Sequence, residues 1–147
     1  MIYYEELTFL PKIEEQYLDS LETIETFENV FPDKEFAHTY ASYSVPTELA
    51  ELIQQYFDYP VLTRYQVIKK QLPIHTDVGI KGFKCNYLLT SGGESVKTRW
   101  WDKIETPNNV VYEMTCKLNT WYNLNIEIPH DISDVTGPRI SITVRKK

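Results

Sequence analysis

A histidine and an aspartate two residues apart are the first features of this sequence that suggest chemistry. His75 and Asp77 lie in Pro-Ile-His-Thr-Asp. In extended backbone, residues i and i+2 point to the same side, so both side chains can converge on one point. The chain has three histidines in all, and His130 is the candidate for a third ligand. Two histidines and one carboxylate on one face of an octahedron leave positions open for oxygen chemistry at Fe(II). The sequence therefore predicts a metal site formed by His75, Asp77 and His130.

Each of these residues also has an ordinary interpretation. His75 and Asp77 are alternatively a hydrogen-bonded pair in an exposed turn, because this spacing often arises by chance. His130, which follows Pro129, is alternatively a solvated loop residue. His38 lies in a tyrosine-rich segment outside the pattern, and we interpret it as structural.

An arginine and a serine follow the third candidate ligand at a spacing that suits the binding of a carboxylate. Arg139 lies nine residues after His130. It shares a strand face with Ser141, so a guanidinium fork and a hydroxyl can together bind one carboxylate. Tyr65, ten residues before His75, can add a phenolic donor from the preceding strand. The spacing favours a dicarboxylate that reaches from the metal to Arg139, whereas an ordinary strand arginine paired with an acid is the alternative.

The elements that must position these residues change in character near residue 60. Residues 12–28 have apolar side chains at close to helical spacing, and residues 46–57 have a clearer apolar stripe, so we predict two helices. Residues 36–45 are aromatic-rich and predict a strand. Beyond residue 60, short apolar segments alternate with turn residues, which is typical of strands. These strands are predicted at 61–70, 83–90, 95–102, 110–117, 120–127 and 139–146.

Regularly spaced strands with few helices predict a single mainly β domain over residues 1–147. We expect a β-sandwich or jelly-roll core over residues 61–147. The helix-bearing part, residues 1–60, should contribute about two helices packed on one side.

Composition restricts the remaining classes of protein. The formal net charge is −6 over 147 residues, and a negative field repels phosphate backbones, so a nucleic-acid partner is disfavoured. The N-terminus is acidic where a secretory signal is basic, and no apolar run approaches the roughly 20 residues of a membrane helix. Two cysteines, Cys85 and Cys116, fit buried free thiols in a reducing compartment. We therefore expect a cytoplasmic protein with no membrane partner, and no sequence feature indicates an oligomeric state.

Together, the motifs resemble those of the Fe(II)- and 2-oxoglutarate-dependent oxygenases, a family with a double-stranded β-helix, or cupin-like jelly-roll, fold. The resemblance covers roughly residues 60–145 and rests on the ordered set of motifs rather than on any one of them. The segment from Asn86 to Glu94 is similar to the one that follows the histidine and aspartate in prolyl hydroxylases. The segment from Thr120 to Ser141 is more like that of aspartyl and asparaginyl hydroxylases.

The resemblance implies a role for each residue. Three residues would bind Fe(II): His75, Asp77 and His130. Arg139, helped by Ser141 and Tyr65, would bind the distal carboxylate of 2-oxoglutarate, and Asn86 would contact the near end of this cosubstrate or the substrate. The implied reaction consumes O2, converts 2-oxoglutarate into succinate and CO2, and hydroxylates a C–H bond of a peptide side chain or a small molecule. The protein's own task is to hold the ligands and shield the oxidant.

Two other functions fit the same residues. One is a catalytically inactive jelly-roll module whose aromatic surface binds a sugar or a protein, with Trp100 or Trp101 as stacking candidates. The other is a cupin-like metalloprotein that uses the same ligands with another metal and without 2-oxoglutarate. Arg139 separates these functions, because a cupin-like site has no use for an arginine nine residues after its last ligand.

Overall fold

The computed structural model describes residues 2–17, 40–77, 82–104 and 109–147. Within these residues the chain forms ten β-strands, one α-helix and one 3-10 turn at Glu15–Tyr17. The strands are β1 (Tyr4–Leu7), β2 (Tyr40–Ser44), β3 (Val61–Ile68), β4 (Leu72–His75), β5 (Phe83–Ser91), β6 (Lys97–Trp101), β7 (Val110–Met114), β8 (Trp121–Asn125), β9 (His130–Ser133) and β10 (Arg139–Lys146). The helix, α1, spans Thr47–Gln54. No helix in the described ranges has the length and apolar character that crossing a membrane requires.

The strands form two antiparallel sheets, and the chain passes back and forth between them. The larger sheet has the order β1-β8-β5-β10-β3-β2, and the smaller sheet has the order β4-β9-β6-β7. From β3 onward, only β6 and β7 are consecutive strands of the same sheet. This winding of antiparallel strands through two facing sheets is the jelly-roll arrangement. The predicted mainly β architecture is therefore confirmed.

All six strands predicted beyond residue 60 are present with small shifts at their ends, but the strands of four residues were missed. The six predicted strands correspond to β3, β5, β6, β7, β8 and β10. The missed strands are β1, β4 and β9. His130 lies beyond the predicted strand 120–127, and the structure places it at the start of β9. The predicted strand at 36–45 appears as β2, and its first four residues, with His38, lie outside the described residues.

The prediction of two N-terminal helices is not supported. The second is present as α1, but the described part of the first, residues 12–17, contains only the 3-10 turn, and residues 18–28 lie outside the described residues. Long-range hydrogen bonds fix this segment on the sheet. The indole of Trp121 donates to the carbonyl of Pro11 at 2.8 Å, and the amide of Ile13 donates to the Tyr87 hydroxyl at 3.3 Å. Such tertiary contacts override a helical spacing of apolar residues.

The larger sheet is buried on both faces, and the alternation of side chains decides which residues reach the interior. Its outer face packs under Leu49 and Ile53 of α1 in a cluster that includes Tyr65 and Ile142. Ser141, the neighbour of Ile142, pairs with Gln66 and Leu88 and points to the opposite side, toward the smaller sheet. The inner face is therefore the one that can contribute to an enclosed site.

Gly92, in the turn after β5, lies against the backbone of β10. A substitution of this glycine therefore tests how closely the two segments pack. Gly92 has φ +81°, and a Cβ on it would lie 2.7 Å from the Cβ of Arg139. Gly92→Ala should lower the free energy of unfolding by about 2–4 kcal/mol, from left-handed strain plus overpacking. Gly82 is the matched control, because its φ is +86° with nothing within 4 Å of a Cβ. Gly82→Ala should cost only about 1–2 kcal/mol of strain. Urea denaturation measures both losses, and equal losses would contradict the close approach.

Candidate metal centre

Two of the three strands missed in the sequence, β4 and β9, carry two of the three predicted metal ligands. His75 is the last residue of β4 and His130 is the first residue of β9, and they are directly opposite each other in the antiparallel pair. Their ring centroids are 4.5 Å apart. Asp77 follows β4, where its amide donates to the carbonyl of Ile126 at 3.3 Å. One ligand atom from each of the three residues lies within 4.8 Å of the other two. The structure thus brings together all three residues predicted as ligands.

The hydrogen bonds of the imidazoles show which nitrogen faces the centre. Nδ1 of His75 lies 2.7 Å from the carbonyl of Pro73, and Nδ1 of His130 lies 2.7 Å from the carbonyl of Ile128. A carbonyl only accepts, so Nδ1 carries the proton in each ring and the lone pair of a neutral ring lies on Nε2. Backbone carbonyls fix metal-binding histidines in this way.

Three acceptor atoms consequently face one another. Nε2 of His75 lies 3.3 Å from Oδ1 of Asp77, and Nε2 of His130 lies 3.5 Å from the same oxygen. Lone pairs at these distances repel unless a cation, either a metal ion or protons on the rings, lies among them. Two imidazole nitrogens and one carboxylate oxygen are the donor set that suits non-haem Fe(II), with further positions open to other ligands. The residues therefore fit iron.

The surroundings of Asp77 keep its carboxylate ionised. Its side chain is 12% exposed. Burial raises the pKa of Asp77, but hydrogen bonds donated by His130 and His75 when their Nε2 atoms carry protons, together with the charge of Lys84, hold that pKa well below its usual range. Nζ of Lys84 lies 3.1 Å from Oδ2, the oxygen that does not face the histidines. Lys84 was not predicted as a site residue. The signal that could have found it is its position two residues before Asn86 on the same strand face.

Arg139 is a buried cation on the inner face of the larger sheet. Its side chain is 4% exposed, and Nη1 donates to the carbonyl of Ser91 at 3.1 Å. No carboxylate of the described ranges forms an ion pair with it. Burial lowers the pKa of Arg139 and contact with Cys116 opposes this effect, yet a guanidinium remains charged in proteins. A buried charge is costly without a counterion, so this position favours an anionic ligand.

Ser141 and Asn86 also lie inside the protein, on the same face as Arg139. Ser141 is 4% exposed, and its hydroxyl is 3.4 Å from Oε1 of Gln66. Asn86, opposite Thr143 of β10, is 6% exposed, and within the described residues its Oδ1 has no hydrogen-bond partner. A buried amide oxygen without a partner costs free energy and is typical of a position that a ligand or water completes.

Tyr65 does not reach this interior, and its predicted contact with a cosubstrate is not supported. It pairs with Ile142 of β10 and belongs to the cluster on the outer face. Its hydroxyl donates to the carbonyl of Tyr17 at 2.5 Å. Tyr65 does lie on the strand that precedes β4 in the chain, but its side chain points to the outer face of the larger sheet.

The two candidate stacking tryptophans face opposite sides of the smaller sheet. Trp100 pairs with His130, is buried in the interior, and donates from its indole to the carbonyl of Asn125 at 2.9 Å. It is thus a wall beside the metal ligands. Trp101 lies under the guanidinium of Arg99, which is 5.0 Å from its ring centroid, away from the site.

The two cysteines are free, as predicted. Burial raises the pKa of Cys85 to about 11, so its sulfur is a thiol near neutral pH. Neither cysteine belongs to the group of ligand atoms around Asp77.

The comparisons with known proteins identify a shared fold. No protein-family model matches the sequence, and no curated protein matches it. Among solved structures, a 2OG-Fe(II) oxygenase family oxidoreductase from Burkholderia pseudomallei matches with a TM-score of 0.54. The match covers 97% of this chain and 82% of that chain at 9% sequence identity. This likeness shows that the two chains share a fold.

Two further solved structures are similar at lower TM-scores. Fe(II)-HppE with the alternative substrate (S)-1-HPP has a TM-score of 0.48 and 18% identity over 76% of this chain. The match covers 52% of that chain, so the present chain spans about half the length of HppE. A cupin superfamily protein from Desulfitobacterium hafniense DCB-2 has a TM-score of 0.48 and 13% identity, covering 95% of this chain and 96% of that chain.

Proposed function

We propose that this protein is an Fe(II)-dependent oxygenase that uses 2-oxoglutarate as cosubstrate to hydroxylate a C–H bond of a peptide side chain or a small molecule. The observation that carries the proposal is the convergence of His75, Asp77 and His130 with their lone pairs facing one another. An iron ion bound there supplies the redox chemistry by which O2 gives one oxygen atom to 2-oxoglutarate, which becomes succinate and CO2, and one to the substrate.

The remaining interior residues support 2-oxoglutarate as the cosubstrate. Arg139 contacts Cys116, which belongs to the same buried cluster as Trp100, the cross-strand neighbour of His130. A ligand that spans the interior from the metal ligands therefore meets a guanidinium on the opposite sheet. A dicarboxylate satisfies both ends, because one carboxylate is bound by Arg139 and the other end reaches the metal ligands.

The chain's own residues prepare the site before any ligand binds. The carbonyls of Pro73 and Ile128 hold both imidazoles in one tautomer and orientation. Asp77 contributes the single negative charge of the ligand set. Trp100 and the other buried apolar side chains of the interior exclude water, which strengthens the charge interactions inside.

Recognition of both ends of 2-oxoglutarate gives the test of this proposal. Calorimetry of the Fe(II)-loaded protein without oxygen should show tighter binding of 2-oxoglutarate than of pyruvate, which lacks the distal carboxylate, or of glutarate, which lacks the 2-oxo group. Arg139→Gln should weaken 2-oxoglutarate binding roughly 10–100-fold, since hydrogen bonds to charged groups contribute about 1.5–3 kcal/mol. Pyruvate binding should not change.

Arg145→Gln is the matched control, because Arg145 lies on the same strand but at its far end. It should leave 2-oxoglutarate binding unchanged. If the parent protein binds 2-oxoglutarate no more tightly than pyruvate, the distal carboxylate is not recognised, and the cupin-like alternative without 2-oxoglutarate is correct. If the protein binds no divalent metal, the inactive binding module is correct.

A further inference from the structure

We propose that Lys84 is a positioning residue that limits Asp77 to one metal-binding oxygen and makes the centre select an anionic oxygen ligand. This proposal rests on the metal centre of the proposed function and deepens it by assigning the charge of the ligand that fills the open positions.

The two oxygens of Asp77 have separate partners. Oδ1 faces Nε2 of His75 at 3.3 Å and Nε2 of His130 at 3.5 Å. Oδ2 is 3.1 Å from Nζ of Lys84, and the side chains of Lys84 and Asp77 are only 15% and 12% exposed. A charge-assisted hydrogen bond at this distance holds the carboxylate in one orientation. Oδ2 is thereby kept away from the metal, and the position it would otherwise occupy stays open.

The charges of the centre do not cancel once a divalent ion is present. An imidazole that binds a metal through its ring lone pair adds no charge, and the negative charge of Asp77 is matched by the positive charge of Lys84, 3.1 Å away. The two positive charges of the metal are then left to other ligands. Because charge in a partly buried site is costly without a counterion, the open positions favour anionic oxygen donors such as a 2-oxo carboxylate.

Lys84 must therefore have opposite effects on the binding of the metal and on the later binding of the anionic ligand. Its ammonium repels a divalent cation and withdraws charge from the carboxylate, which weakens metal binding. The same ammonium attracts an anionic ligand to the metal-loaded centre. A lysine that only supported the fold would weaken both steps when removed.

The experiment compares Lys84→Met, which keeps the apolar stem without the charge, with Lys84→Arg, which keeps the charge. Lys97→Met is the control, since Lys97 lies on the smaller sheet and its only described partner is Glu113 at 3.9 Å. Anaerobic calorimetry measures Co(II) binding, followed by 2-oxoglutarate and pyruvate binding. The visible spectrum of Co(II) reports its coordination number, and thermal melting checks the fold of each variant.

We expect Lys84→Met to bind Co(II) roughly tenfold more tightly and both 2-oxo acids roughly tenfold more weakly. Its Co(II) spectrum should change as the second oxygen of Asp77 coordinates. Lys84→Arg should restore the parent's order of affinities and its spectrum, and Lys97→Met should match the parent throughout.

Other outcomes separate this proposal from the proposed function. If Lys84→Met matches the parent in both affinities and in spectrum, or weakens both steps, the role of Lys84 is overturned and the proposed function stands. If the parent binds Co(II) but 2-oxoglutarate no better than pyruvate, the cosubstrate assignment is wrong, while opposite shifts in Lys84→Met still support Lys84. A parent protein that binds no Co(II) overturns both.

Discussion

Replacing His130 by alanine should abolish tight binding of Fe(II). The substitution removes one of three protein ligands and leaves His75 and Asp77 as a pair. The loss of affinity should therefore exceed the roughly 10–100-fold that changes in residues surrounding metal ligands typically cost. Metal content after anaerobic desalting, and calorimetric titration with Fe(II), measure the loss. Asp77→Asn should have a similar effect, because the amide keeps the shape of the carboxylate but lacks its charge.

The matched control for these substitutions is Asp134→Asn. Asp134 follows β9, is exposed, and has φ +61°, a conformation that asparagine tolerates. It lies outside the group of candidate ligand atoms, so the variant should bind Fe(II) as the parent protein does. Unchanged Fe(II) affinity in a folded His130→Ala variant would contradict the assignment of the centre.

The second large effect concerns stability rather than metal binding. Asp131 lies next to His130 on β9 and is 1% exposed. It accepts two hydrogen bonds from Arg99 on β6, Nε to Oδ1 at 3.0 Å and Nη2 to Oδ2 at 2.6 Å. Asp131→Ala leaves the guanidinium without its partner and should lower the free energy of unfolding by about 3–5 kcal/mol. Urea denaturation measures this loss.

An exposed ion pair of the same sheet provides the comparison. Glu113 is half-exposed and lies 3.9 Å from Lys97, so Glu113→Ala should cost less than about 1 kcal/mol. The double variant Arg99→Met with Asp131→Leu should recover much of the loss, because it removes both charges. An Asp131→Ala variant no less stable than Glu113→Ala would show that the bidentate pair does not stabilise β9.

The metal ligands could be predicted from the sequence although the strands that hold them could not. A histidine and an aspartate at i and i+2 need only locally extended backbone to converge, and the chain offers few other histidines. The strands β4 and β9 have four residues each, too few for an alternating pattern to be recognised. Pro73 within β4 also argues against a strand in the sequence, because proline is excluded from the centre of a sheet. The structure accommodates Pro73 because β4 is an edge strand.

The misassignment of Tyr65 has a physical cause in the larger sheet. The larger sheet is covered on both faces, by α1 and the N-terminal segment on one side and by the smaller sheet on the other, so six of the eight residues of β3 are buried. Alternation of hydrophobicity then does not indicate which face is interior, and a change of one residue moves every side chain to the other face. Tyr65 was assigned to the wrong face for this reason. Lys84 was missed because its partner, Oδ2 of Asp77, is fixed only by tertiary structure.

The most direct test of the metal centre as a 2-oxoglutarate site is the visible absorption of the Fe(II)-loaded protein without oxygen. Addition of 2-oxoglutarate should produce a charge-transfer band that saturates at one equivalent per chain. The band should be absent with Zn(II) in place of iron and absent in His130→Ala. Iron that is demonstrably bound to the parent protein, with no such band at saturating 2-oxoglutarate, would contradict this account.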